Sequence, residues 1–331
     1  MPVTMRDVAR ESGVSIKTVS RVVNQQGEIR DETRKRVLTA IDKLGYRPSK
    51  VARALVTRRT DTIGLIFGDI ANPYLAEIAR GVLDSTVKEK IEVFLCHTGG
   101  DPESERRALT SLLDHNIDGA IVFPVIANSE WIQEIAKPEH PIVLMNFSVP
   151  SHPGLGSVVT DMRKGAKLAV DYLVEKGHRY IGMLAGEVGP KNMIQRVVGY
   201  RNGLEQHGIG YRDELVLIGN PVIEFGVSGA ERLLSQYPEI TALFCYNDLI
   251  AMGAIQTCKK LGMRIPDDCA IVGFDDNRFS SLVHPSLTTI NVDKYRIGQY
   301  AAKCLLAMLK KPDEILEPIP IDVELIIRES A

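Results

Sequence analysis

The sequence predicts two kinds of fold in one chain: an all-α head of three short helices in the first 48 residues, and an α/β body of two doubly wound parallel sheets behind it. Three observations carry this. Apolar residues near the N-terminus recur at helical spacing around Gly13, and from residue 62 apolar strands alternate with amphipathic helices. Charge is also divided between the two regions. Residues 1–60 hold 14 Lys and Arg against 6 Asp and Glu, a net of +8 on a chain whose total is −2, which leaves −10 for residues 61–331. A basic head on an acidic body has the charge distribution of a phosphate-binding unit joined to one with another task.

In the head, Thr4 and Asp7 are spaced as a capping box that opens helix one, with Val8 and Ala9 on its apolar side. Gly13 supplies a tight turn and Ser15 caps helix two. Val19, Val22 and Val23 can then pack inward, which leaves Ile16, Lys17, Ser20 and Arg21 on an outer face near the helix N-terminus. Two cations and an aliphatic side chain on such a face have the chemistry of a major-groove reader. A third helix is predicted over Asp31–Leu44, with Thr33, Val37, Leu38, Ile41 and Leu44 at helical spacing and Gly45 as its stop. Pro48 breaks the chain, and Ser49–Val56 reads as a short capped helix, too short to persist unless packed on a partner or on DNA.

In the body, strands are predicted at Thr62–Phe67, Glu92–His97, Gly119–Phe123, Ile142–Met145, Ser157–Thr160, Tyr180–Leu184, Glu214–Ile218, Ala242–Tyr246 and Ala270–Phe274. Helices are predicted at Pro73–Lys88, Pro102–Asn116, Met162–Gly177, Met193–Gly208, Val227–Gln236, Leu249–Leu261 and Tyr295–Leu309. This alternation implies parallel sheets covered on both faces, split into two similar subdomains. Each sheet offers a ligand-binding rim at the carboxyl ends of its strands, so the cleft between the subdomains is the expected site.

Composition bounds the rest. At 331 residues, 44% hydrophobic and 25% charged, the chain can build two or three cored units and is neither fibrous nor disordered in type. It contains no apolar run near the roughly 18 residues of a membrane helix and no hydrophobic leader, so a cytoplasmic protein with no membrane partner is expected. The cysteines at 96, 245, 258, 269 and 304 are scattered and never spaced CxxC, so neither disulfides nor a metal site is expected, and no cofactor motif is present.

Taken together, these residues resemble the lactose repressor (LacI/GalR) family of bacterial transcription regulators over essentially the whole chain. The head carries the likeness in Asp7-Val8-Ala9, Gly13-Val14-Ser15, Thr18-Val19-Ser20-Arg21-Val22 and Leu44-Gly45-Tyr46; the body carries it in Asn72-Pro73-Tyr74, Asn247-Asp248 and Gly273-Phe274-Asp275-Asp276. The resemblance implies a helix-turn-helix head at 1–48, a hinge helix and linker at 49–61, and a two-lobed periplasmic-binding-protein-like body at 62–331. Its first subdomain would span about 62–160 plus 292–318 and its second about 161–291 plus 319–331.

The resemblance also assigns roles. Ile16, Lys17 and Arg21 would read base edges, while Ser15, Thr18, Ser20, Asn24, Thr33 and Tyr46 would lie near phosphates. Leu55 would wedge into the minor groove, with Ala52 in the same hinge segment. In the cleft, Arg196, Asn247 and Asp275 would hold the polar groups of a small effector, a carbohydrate or derivative, joined by Tyr74, Asn146, Thr160, Lys191 and Asn192. Where relatives often place an aromatic cover, this chain has Glu224 with Phe225 beside it. The chain ends soon after Ile327-Arg328 without leucine heptads, so a homodimer on a palindromic operator is the expected assembly.

Two rival functions share this body plan. The α/β layout also hosts enzymes, but GxGxxG, GxxxxGK[ST], GxSxG and HExxH are missing and the seven histidines form no ligand-spaced cluster, so no catalysis is expected. The alternative, a solute-binding protein of sugar transport without a regulatory role, would need a leader and no basic head, the reverse of this sequence.

Overall fold

A computed structural model describes residues 3–24, 27–46, 59–124, 129–147, 152–187 and 190–331. The chain falls into two compact units, Met1–Thr60 and Asp61–Ala331.

The head is built from α1 (Met5–Ser12), α2 (Ile16–Val23) and α3 (Asp31–Leu44). The Asp7 carboxylate accepts from the Thr4 hydroxyl at 2.7 Å and the Thr4 amide at 3.0 Å, and those bonds hold its pKa below the usual carboxylate value. Ser15 Oγ accepts from the Thr18 amide at 3.1 Å, satisfying a free N–H at the start of α2. Gly13 turns the chain at φ 63°, and the Arg36 guanidinium donates to the carbonyls of Ser12 (2.6 Å) and Gly13 (3.3 Å), tying α3 to that turn. Val8, Val19, Val22, Val37 and Ala40 form the core. Leu38, read as part of the apolar stripe of α3, is instead 46% exposed, because it sits one residue, about 100° of rotation, beyond the inward-facing Val37. The predicted hinge helix, with Ala52 and Leu55, lies outside the described residues.

The body runs β1 (Thr62–Phe67), α4 (Pro73–Lys88), β2 (Glu92–His97), α5 (Pro102–Asp114), β3 (Gly119–Val122), α6 (Ser129–Ile135), β4 (Ile142–Met145) and β5 (Leu155–Thr160). It continues through α7 (Met162–Glu175), β6 (Ile181–Gly186), α8 (Pro190–Gln206), β7 (Val216–Gly219), α9 (Ile223–Gln236), β8 (Ala242–Cys245), α10 (Asp248–Lys260) and β9 (Ala270–Asp275). The last elements are β10 (Thr288–Val292), α11 (Lys294–Lys310), β11 (Ile319–Ile321) and β12 (Val323–Ile326).

Two six-stranded sheets result, ordered β11-β5-β4-β3-β1-β2 and β12-β10-β9-β8-β6-β7. All pairings are parallel except β12 on β10. The chain passes between the sheets after β5, after β10 and after β11. The last crossing corrects the boundary expected at 318/319: β11 pairs with β5, so residues 319–321 belong to the first sheet. The predicted strand at Glu214 begins at Val216, because Asp213–Leu215 close a single 3-10 turn first. The helix α6 and the strands β10 to β12 lie outside the elements that the sequence pattern predicts. No described helix is long and apolar enough to cross a membrane.

Candidate functional site

On the head, α2 presents Ile16 (46% exposed), Lys17 and Arg21 outward, as the spacing required. Ser15 and Asn24 are also exposed, and Thr18, Ser20 and Thr33 are half-buried. Small hydroxyls there are already organised: Ser15 Oγ and Thr18 Oγ1 lie 2.9 Å apart, and Asn24 Nδ2 donates to Ser20 Oγ at 3.2 Å. Tyr46 is buried against the head core, which raises its phenol pKa through desolvation. The face thus combines two cations, an aliphatic side chain and the amide-rich N-terminus of a helix, a set suited to phosphates and base edges.

In the body, a cavity of about 800 Å³ lies where the carboxyl ends of both sheets meet. Its polar wall is a direct product of topology, since nearly every residue on it follows a strand. From the first sheet come Asp69 after β1, His97 at the end of β2, Phe123 after β3 and Asn146 after β4. From the second come Glu187 after β6, Asn220 after β7, Tyr246 and Asn247 after β8, and Asp275 at the end of β9. Tyr74 on α4 and Arg196 on α8 complete it.

Arg196 is the most constrained of these side chains. It is buried, its Nη2 lies 3.3 Å from Asp275 Oδ1, and its guanidinium carbon lies over the rings of Tyr246 (4.0 Å to the centroid) and Phe274 (4.1 Å). Its Nε has no partner and is left for a ligand. Burial pushes the Asp275 carboxyl up to about 7; Arg196 and Lys294 oppose that rise and the nearby Asp248 adds to it. Asp275 also holds φ 103°, a costly backbone for a residue with a Cβ. The buried Lys294 ammonium fixes it there, donating to the carbonyls of Asp275, Asp276 (2.9 Å) and Val292 (3.1 Å).

Behind this pair, Asp248 is fully buried and accepts from the Asn277 amide (2.6 Å), Ser280 Oγ (2.7 Å) and Thr289 Oγ1 (2.5 Å). Burial still lifts its pKa to about 6. Across the cavity, Asn146 Nδ2 donates to the Tyr74 hydroxyl at 2.9 Å, while burial first and Asp275 second raise the Tyr74 pKa. Asn146 sits at φ 56°, and its Oδ1 has no partner.

Of the residues expected at the site, Tyr74, Asn146, Arg196, Asn247 and Asp275 converge on the cavity. Asn247 is already engaged at both ends of its amide: Oδ1 accepts from Ile250 N at 2.9 Å and Nδ2 donates to the Pro221 carbonyl at 3.1 Å. Its first task is to cap α10 and hold the 221 loop. Thr160 is buried at the end of β5 with its hydroxyl unpartnered, and it is not among the lining residues. Glu224 and Phe225 do not reach the cavity either. The helix α9 begins at Ile223, so Glu224 is carried to the exposed surface, and Phe225 packs into the second-sheet core. Asn220, Pro221 and Val222 line the wall in their place. Lys191 and Asn192 fall in the first turn of α8, and their side chains lie outside the described residues. Asp69, His97, Phe123, Glu187 and Tyr246 were missed, although each lies at the end of a predicted strand or within three residues after it.

Comparison with known proteins agrees with both units. Residues 4–49 match the bacterial regulatory proteins of the lacI family, and residues 170–331 match the periplasmic binding protein-like domain. Catabolite control protein A of Priestia megaterium is 35% identical over 327 residues, covering 98% of each chain. A solved lac repressor dimer, bound to operator and the anti-inducer ONPF, superimposes with a TM-score of 0.89 at 27% identity, over 100% of this chain and 99% of that one. The transcriptional regulator CelR in complex with cellobiose gives 0.75 at 28% identity, over 99% and 100%. The head that a transport protein would lack is matched, and the relatives are regulators rather than enzymes. The chain therefore belongs to the LacI family: it is a DNA-binding transcriptional regulator that carries its own effector-binding domain.

Proposed function

We propose that this regulator is a cytoplasmic repressor that binds a palindromic operator as a homodimer and is controlled by a small polar effector, a carbohydrate or a derivative, held between the lobes of the body. One observation carries the effector reading: a cavity of about 800 Å³ whose floor is the buried Arg196–Asp275 pair, with unpartnered polar atoms on Arg196 and Asn146. A planar donor and a carboxylate on one wall suit vicinal hydroxyls, and the cellobiose complex of a related regulator supports the class.

Ile16, Lys17 and Arg21 are the proposed base readers, with Ser15, Thr18, Ser20, Asn24, Thr33 and Tyr46 toward the backbone; Ala52 and Leu55 join them on family position alone. In the effector site, Arg196, Asp275, Tyr74 and Asn146 are the proposed contacts, with Asn247 as a supporting cap. The domain limits proposed are 1–48 for the head, 49–61 for the hinge and linker, and 62–331 for the body, with the final lobe crossing after residue 321. A homodimer suits the exposed apolar surface on α4 and the edge strand β2, where Val87 is 70% and Phe94 55% exposed beside Leu83 and Leu95.

The test is a thermal-shift screen against sugars, polyols, sugar phosphates and nucleobases, followed by operator binding with each hit, since a ligand at about 100 times its Kd stabilises by roughly 2.7 kcal/mol. A carbohydrate that both stabilises the protein and changes operator affinity supports the reading, and the sign of the change separates inducer from corepressor. Stabilisation by nucleobases alone overturns it.

A further inference from the structure

The charged groups of the cavity differ in number and in freedom. Three carboxylates line it, Asp69, Glu187 and Asp275, whereas Arg196 is the one Lys or Arg among the described lining residues. That guanidinium is already matched by Asp275 at 3.3 Å and packed against two aromatic rings, so it brings an entering anion no uncompensated positive charge. Asp69 and Glu187 stand on opposite lobes. Asp69 spends one carboxylate oxygen on the Ala71 amide at 2.9 Å, and Glu187 is seated by its own backbone amide, which donates to the Gly219 carbonyl at 2.7 Å.

A second and independent observation points to a ligand. Arg196 Nε and Asn146 Oδ1 both lack partners, and both belong to cavity-lining residues more than nine-tenths buried, 3% and 8% exposed. Buried polar atoms of this kind are costly unless a bound molecule or water satisfies them. Hydroxyl groups, which donate and accept, would serve both.

We propose that the cavity selects an amine-bearing polyhydroxy ligand of the amino-sugar class, with its hydroxyls on Arg196, Asp275 and Asn146 and its ammonium toward Asp69 and Glu187, and that it rejects phosphorylated and carboxylated sugars. This rests on the reading of the cleft as a carbohydrate site. Because Asp69 and Glu187 come from different lobes, an ammonium that attracts both favours the closed cleft, which ties ligand charge to lobe angle.

The experiment is calorimetric titration of the full-length protein at pH 8, where the Asp275 carboxylate is ionised and a primary amine at C6 of a sugar is still an ammonium, with matched sets of hexoses: parent, 6-amino-6-deoxy, 6-phosphate and uronic acid forms of glucose, galactose and mannose. In at least one set the amino form should bind about tenfold tighter than its parent, the anionic forms should not bind, and the doubly substituted D69N/E187Q protein should close the gap between amino form and parent. A phosphate or uronate that binds tighter than its parent, equal affinity of amino form and parent, or an amine preference that survives the double substitution overturns the proposal while leaving the carbohydrate reading in place. Binding by no member of any set removes the carbohydrate reading and the proposal with it.

Discussion

Asp275 concentrates several costs at one residue: a carboxylate out of water, a backbone at φ 103°, and a second carboxylate, Asp248, close enough to raise its pKa. Its pKa rises from 3.8 to about 7, so the folded state holds the proton more tightly than the unfolded chain. The stabilisation from that proton is complete below about 3.8 and is lost as the pH rises through about 7. Asp248, lifted to about 6, acts in the same direction. His178, whose pKa burial lowers, acts in the opposite one. The difference between wild type and an isosteric, uncharged variant therefore isolates Asp275. In the absence of effector, Asp275→Asn should gain thermal stability relative to wild type as the pH is raised from 5 to 8, read as the difference in Tm across that range. A difference that stays constant with pH would show that Asp275 titrates as an ordinary exposed carboxyl. The same residue shows what the sequence discloses. Its place at a strand end was legible, and family likeness put Arg196 in the same cleft; their ion pair and the packing of Arg196 on Tyr246 and Phe274 were not, because these residues come from separate segments of the chain.

At the scale of elements, the body is held by three pairs of helices that touch at glycine. A Cβ on Gly81 of α4 would collide with the Tyr295 carbonyl of α11, and one on Gly298 of α11 with the Ile78 carbonyl of α4. The pair α9 and α10 repeats the device: Gly226 faces the Ile250 carbonyl and Gly253 faces the Ile223 carbonyl. Gly199 of α8 meets the Arg163 carbonyl of α7 in the same way. A glycine inside a helix costs about 1 kcal/mol against alanine, so propensity alone predicts that Gly253→Ala stabilises. Overpacking against a backbone carbonyl, which cannot swing aside as a side chain can, costs about 1–3 kcal/mol and should win. Chemical denaturation should show Gly253→Ala destabilised, while Gly210→Ala, with nothing within 4 Å, stays near wild type. Equal stability of the two variants would show that α9 and α10 can separate freely. Helical spacing revealed seven of the body's helices, yet it could not reveal these contacts, which depend on the partner helix. Elements shorter than the periodic window also escaped. The strand β11 is three residues long with Pro320 in its middle, and α6 has seven residues. Likewise Glu224 and Phe225 were misplaced because the site depends on where α9 starts, and the boundary moved by four residues, from Val227 to Ile223.

At the scale of the molecule, the division of charge sets how the protein meets DNA. The first 60 residues carry +8 and the rest −10, so a duplex is attracted to one end of the chain and repelled by the remainder. Operator affinity should therefore fall steeply with salt, with a slope of about −0.9 in log affinity against log salt for each phosphate neutralised, and about a thousandfold or more between 50 and 200 mM for six or more contacts. The proposed effector is held by residues of the acidic body alone, none of them in the basic head. If it acts by shifting the population of DNA-competent protein, it multiplies the apparent affinity by a factor that does not depend on how many counterions leave the duplex. Operator titrations across that salt range, with and without saturating effector, should then give two parallel lines displaced by the coupling. A change of slope on adding effector would mean that the ligand alters the number of phosphate contacts themselves, and allostery here would have to be described as a remodelled interface rather than a shifted equilibrium between two forms of the body.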